Sequence, residues 1–82
     1  MPNNQTETYK TKDTAEAAVL IIKGQQLQTI EREGRICWFV FDNEKKVCEP
    51  LSDKYYFGEI LVNARIFHEV ISRLKGRIFA RE

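Results

Sequence analysis

Residues 35–43, Arg35-Ile36-Cys37-Trp38-Phe39-Val40-Phe41-Asp42-Asn43, constrain the fold more than any other stretch of this chain. Six consecutive apolar or aromatic side chains stand there between a glycine turn and a polar stop. Read as a strand, the segment sends successive side chains to opposite faces, so Ile36, Trp38 and Val40 share one side while Cys37, Phe39 and Phe41 share the other. Both sides are apolar and both need cover. Such a strand belongs in the middle of a sheet.

The flanking segments supply the neighbours. Thr6-Glu7-Thr8-Tyr9-Lys10-Thr11-Lys12 has the threonine-rich composition of a short edge strand with one wet face. Lysines on such an edge discourage pairing with other chains. Asp13 followed by Glu16 has the form of a capping box, with Asp13 accepting from free amides and Glu16 reaching back, so a helix is expected from Thr14. It runs to Lys23 and stops at Gly24. Its segment 17–22 is apolar all round, which predicts one of the most buried elements. Leu27-Gln28-Thr29-Ile30-Glu31 forms the next strand and leads by a hairpin into the central one. A loop of Arg32-Glu33-Gly34 sets Glu31 opposite Arg35 and places Ile30 with Ile36, Trp38 and Val40, and Leu27 with Cys37, Phe39 and Phe41. The alternative loop, Glu33-Gly34, moves Ile30 to the second set; the first is preferred because it gathers like with like.

Beyond the central strand the pattern becomes helical. Asp42 or Asn43 is expected to cap a helix beginning at Glu44, with a break near Glu49 imposed by Pro50 and a second short helix over residues 51–57 ending at Gly58. Residues 59–62 read as an extended linker. Asn63 caps the last helix, with Val62 and Phe67 in the positions of a hydrophobic staple. Phe67, Val70, Ile71, Leu74 and Ile78 recur at three- and four-residue spacing and define its buried stripe. Glu69 and Arg73 are spaced to pair, and the cations Arg73, Lys75, Arg77 and Arg81 crowd the end that the helix dipole favours.

The expected architecture is an α+β fold: a three-stranded antiparallel sheet in the order 1-3-2, built on a split strand-helix-strand unit, with two to three helices packed on it. Residues 1–5 are expected to form a loose tail and residues 6–82 a single domain. With 13 basic and 12 acidic side chains, no global field draws in nucleic acid or an anionic membrane. No apolar run approaches the ~20 residues of a membrane helix, and the polar amino terminus does not resemble a secretion signal; a soluble, cytoplasmic protein is expected. Cys37 and Cys48 are expected to be reduced.

Several of these residues together, Tyr9-Lys10-Thr11-Lys12-Asp13, Lys23-Gly24, Ile30-Glu31-Arg32-Glu33-Gly34-Arg35, Trp38-Phe39-Val40-Phe41, Tyr55-Tyr56-Phe57-Gly58-Glu59 and Val62-Asn63-Ala64-Arg65, resemble a family of small bacterial proteins catalogued only as a domain of unknown function. The resemblance spans about residues 9–79 and rests on strands, turns and caps. It implies the fold described above and no catalytic residues. Pro50 departs from the pattern, since members continue the second helix unbroken.

No catalytic or metal-binding constellation stands out. His68 is the single histidine, and with Cys37 and Cys48 it makes three ligands at most, none at the close spacing of a zinc site. A Cys48–His68 pair lacks an orienting residue and an oxyanion turn. Neither a metal nor another cofactor is expected, and the chain is read as non-enzymatic. The aromatic strand leaves two binding readings open. If one sheet face is uncovered, Trp38, or Phe39 with Phe41, flanked by Arg32, Arg35 and Lys10, makes a surface that a protein partner or a second copy covers. The same residues offer an alternative, stacking of single-stranded nucleic acid beside cations that meet phosphates, although near-neutral charge weighs against it.

Overall fold

The structure is a computed structural model that describes residues 7–80; the expected tail at residues 1–5 lies outside them. The elements follow the order β1 (Thr8–Thr11), α1 (Thr14–Ile22), β2 (Leu27–Glu33), β3 (Ile36–Asp42), α2 (Cys48–Tyr56) and α3 (Ala64–Ala80). β3 lies between β1 and β2 and is antiparallel to both, so the sheet order is β1-β3-β2 and α1 crosses over the inserted strand. All three helices pack on one face of the sheet. Phe39 and Phe41 from β3, Ile30 from β2, Ala17, Ala18 and Leu20 from α1, Cys48 from α2 and Val70 and Leu74 from α3 form the core between them.

The hairpin differs from the expected one. Glu33 pairs with Ile36, leaving Gly34 and Arg35 as the loop. Gly34 has φ +63, and Lys46 is the sole non-glycine residue with positive φ among the described residues, so the loop has the backbone of a type II′ turn with glycine in its first central position. Ile30 therefore faces Phe39 and points into the core at 6% exposure, rather than joining Ile36, Trp38 and Val40. Leu27 nevertheless stays on the same face, opposite Phe41, because Gln28 is an extra residue in the ladder. A bulge of this kind reverses the alternation once, which lets an odd and an even position of one strand both face the helices. Burial of both aliphatic chains decides the register.

α1 begins at Asp13, whose carboxylate accepts from the amides of Ala15 and Glu16. It ends in a Schellman turn: Gly24 at φ +94 donates to Ile21 O and Gln25 donates to Leu20 O. Glu16, however, does not reach back as a capping box requires. The Asp13 amide already donates to Thr11 Oγ1 at 3.1 Å, so Glu16 turns inward instead.

α2 is a single helix starting at Cys48, and residues 44–47 are a turn with Lys46 at φ 57. Pro50 falls in its first turn, where backbone amides have no helical partner to lose, so no break occurs at Glu49. The start is held from outside the helix. Asn43, 3% exposed, accepts from the Cys48 amide through Oδ1 and donates through Nδ2 to the Glu49 carboxylate at 2.9 Å. These bonds hold the Glu49 carboxyl below its usual range. α3 starts as expected, with Asn63 Oδ1 accepting from the Arg65 and Ile66 amides. Its stripe packs on the core, but the ion pair along its outer face joins Arg65 to Glu69 at 3.7 Å rather than Glu69 to Arg73.

Candidate functional site

β3 places its aromatic residues on opposite faces, as the strand alternation requires, and the helices decide which face is left open. Phe39 and Phe41 lie under the helices at 1% and 0% exposure, which removes them from any surface platform. Trp38 is half-buried on the opposite face, which no helix packs against although Val40 there is 4% exposed, beside its cross-strand partner Glu31. Lys10 shares that face and forms an ion pair with Glu31 at 3.0 Å. The Trp38 indole N–H donates to Glu33 Oε1, also at 3.0 Å. Arg35 stands on the hairpin tip, and Arg32 extends to the far end of α3, donating to Ile78 O at 2.8 Å, where it caps the last turn. Of the six residues singled out, only Trp38 and Lys10 therefore share a surface, and each is engaged by a glutamate. Glu31 and Glu33 set two carboxylates beside Lys10 on this face, which disfavours a phosphate.

The conspicuous polar constellation is one the sequence did not announce. Glu16 is 1% exposed, and none of the ion pairs among the described residues involves it. Three hydroxyls converge on its carboxylate: Tyr9 at 2.6 Å and Thr11 at 2.7 Å, both from β1, and Tyr56 at 3.1 Å from the end of α2. Tyr9 and Thr11 reach it because they lie two apart on the strand and share the helix-covered face, opposite Phe41 and Phe39. The Tyr9 hydroxyl also lies 3.0 Å from Ser52 Oγ in α2. With the one Tyr9 proton committed to Glu16, Ser52 is the donor in that pair. Tyr55 adds a hydroxyl to Asp13 Oδ2 at 3.3 Å. Burial, followed by the bond to Glu16, pushes the phenols of Tyr9 and Tyr56 up to about 12. Burial and the Asp13 charge also raise Tyr55. These are phenols held protonated, donors rather than bases, and the cluster ties α2 to α1 and β1.

Cys48 is fully buried, and burial together with the charges of Glu49, Asp42 and Glu16 pushes its thiol up to about 11. Such a thiol is inert as a nucleophile near neutral pH. His68 is exposed on α3, and Cys37, partly buried on β3, is free. Among the described residues, no group of three or more His, Cys, Asp and Glu is placed to hold a metal ion. No helix among them is long and apolar enough to cross a membrane.

What the hydroxyl cluster positions is the second feature that sequence reasoning missed. α2 ends in another Schellman turn, Gly58 at φ +74 donating to Tyr55 O and Glu59 to Lys54 O, and the chain then runs to α3. On this connection Leu61 is 86% exposed, Phe57 77%, Tyr56 63% and Ile66, in the first turn of α3, 47%. Leu51, Ile60 and Leu61 line a shallow groove there with Lys23, Lys54 and Glu59. The visible signal was the run Tyr55-Tyr56-Phe57 at the end of an expected helix followed by Ile60-Leu61-Val62, apolar residues on a segment expected to be a linker.

The sequence pattern that defines the domain of unknown function DUF5659 matches residues 6–80. The chain belongs to this family. The strand-helix-strand-strand-helix-helix order and the 1-3-2 sheet agree with the fold that the resemblance implied. No curated protein and no solved structure matches the chain.

Proposed function

We propose that this DUF5659 chain is a non-enzymatic module that associates with protein, a second copy of itself included, through the apolar rim on the α2–α3 connection. The observation that carries the reading is the exposure of Tyr56, Phe57, Leu61 and Ile66 within one short stretch of a small domain. At 150–250 Å² per aromatic ring and somewhat less per aliphatic chain, they present on the order of 400 Å² of apolar surface. That is about half of the ~800 Å² each partner buries in a standard stable interface, so the association is a reversible one. Near-neutral charge imposes no repulsion between copies. The aromatic sheet platform for nucleic acid keeps little support once Phe39 and Phe41 are buried and Lys10 is paired.

Sedimentation velocity over a rising concentration series tests the proposal with Phe57→Ser and Leu61→Ser. Concentration-dependent association of the wild type, lost in both variants at unchanged circular dichroism, supports it. A wild type that stays monomeric throughout removes self-association. Either variant unfolding would show that these side chains hold the fold together rather than meet a partner.

A further inference from the structure

A second surface, with a lining that shares no residue with the rim, carries a different chemistry. Where the end of α1 and the start of β2 meet the middle of α3, a cleft of about 270 Å³ opens, with Ile21, Leu27, Val70 and Leu74 along it and Arg73 and Arg77 at its side. The two arginines are four apart on α3 and so project from one face of the helix. Among the described residues the ion pairs are Lys10–Glu31, Lys46–Glu7 and Arg65–Glu69, and no carboxylate lies within pairing distance of either arginine. The helix dipole accounts for Arg77, in the last turn, but not for Arg73 a turn earlier. At the end of α1, Val19 O, Leu20 O and Ile21 O already accept from the Lys23, Gln25 and Gly24 amides, which weakens the opposition of that helix end to an anion.

We infer that this cleft receives an acidic, aliphatic segment of a partner protein, its carboxylates on Arg73 and Arg77 and its aliphatic chains over Ile21 and Leu27. Guanidinium forks match carboxylates in planar, charge-assisted pairs. The apolar lining decides between anions. A nucleic acid has phosphates for the arginines, but the cleft offers its bases no aromatic ring to stack on, whereas a peptide with alternating Leu and Glu suits both the arginines and the aliphatic lining. The inference does not rest on the rim at Phe57 and Leu61, which involves none of these residues.

The test is a random-peptide display library panned on the intact chain, with the doubly substituted Arg73→Glu, Arg77→Glu protein as counter-selection. The most enriched peptide is then synthesised with a fluorophore and titrated by anisotropy at two salt concentrations. Enriched sequences are expected to interleave Asp or Glu with Leu or Ile. Affinity should fall about tenfold or more with Arg73→Gln or Arg77→Gln and weaken with salt, and the methyl resonances of Ile21, Leu27, Val70 and Leu74 should shift on binding. Leu61→Ser should leave this binding unchanged, which separates failure here from failure at the rim. No enrichment, enrichment of basic sequences, or affinity indifferent to both arginines overturns the inference. So does displacement of the peptide by a single-stranded oligonucleotide that leaves those methyls unmoved, an outcome that would mark the surface as one for nucleic acid.

Discussion

Replacing Glu16 by leucine keeps most of the side-chain volume in a site that is 1% exposed but removes both acceptor oxygens. Three hydroxyls lose their partner. Tyr56 is 63% exposed, so water replaces the carboxylate at little cost. Thr11, at 6% exposure, is left as a donor without an acceptor, while the half-buried Tyr9 can turn its proton to Ser52 Oγ at 3.0 Å. An orphaned buried donor costs about 1–3 kcal/mol, and exchanging the charge-assisted bond of Tyr9 for a neutral one costs about 1 kcal/mol more, which gives about 2–4 kcal/mol. Removing a buried charge relieves desolvation, but that relief stabilises only when its partners are replaced too. A domain of this size has a total stability of roughly 4–12 kcal/mol, so the loss is a large share of it. Urea unfolding read by the fluorescence of Trp38, the single tryptophan, and by circular dichroism measures it. With a slope of about 1 kcal/mol per molar urea, the midpoint should fall by about 2 M or more at unchanged slope. Tyr9→Phe should cost less in the Glu16→Leu background than in the wild type, because the carboxylate it bonded is already gone. Should Glu16→Leu prove neutral or stabilising, the hydroxyl cluster would contribute nothing to holding α2 on α1 and β1.

Three further outcomes are expected. Asn43→Ala removes the bond to the Cys48 amide that starts α2 and should cost about 1–2 kcal/mol in the same urea assay, while a neutral result would show that α2 needs no anchor from the preceding loop. Phe39→Ala should lower stability by about 3–5 kcal/mol, as a core truncation does, whereas Trp38→Ala, on the face no helix packs against, should cost markedly less; equal costs would contradict the assignment of faces. The alkaline limb of stability follows from the phenols of Tyr9 and Tyr56, whose folded values of about 12 lie above the ordinary 10.0. The unfolded chain releases those protons first, and the buried Cys48 thiol, raised from 9.0 to about 11, adds to the effect, so stability should be level below about pH 9 and fall as pH rises from there toward 12. Tyr9→Phe should make that fall shallower, and an alkaline titration identical to the wild type would refute the coupling.

Much of the fold was legible because its signals are local. The doubly apolar run of β3 required a central strand, Asp13 and Asn63 marked two helix starts, Gly24 and Gly58 marked two ends, and the spacing from Phe67 to Ile78 fixed the buried face of α3. The hairpin register was not legible, since it depends on a bulge at Gln28 whose only reward is the burial of Leu27 and Ile30 together. Nor was the extent of α2 evident. Pro50 reads as a breaker until the helix start is placed two residues before it, and Asn43 places it there from five residues upstream of Cys48.

The sequence by itself determined which segments become strands and helices, because periodicity, caps and turn glycines act through neighbours a few residues away. Only the tertiary structure decided what those elements present to each other and to solvent. Glu16 reads as a helix cap until β1 and α2 bring three hydroxyls to it. Phe39 and Phe41 read as surface aromatics until all three helices choose their side of the sheet, and Arg73 acquires an apolar cleft only where three elements distant in sequence converge. Burial and pairing of this kind are set by which surfaces meet, and a single strand or helix carries no record of what it will meet.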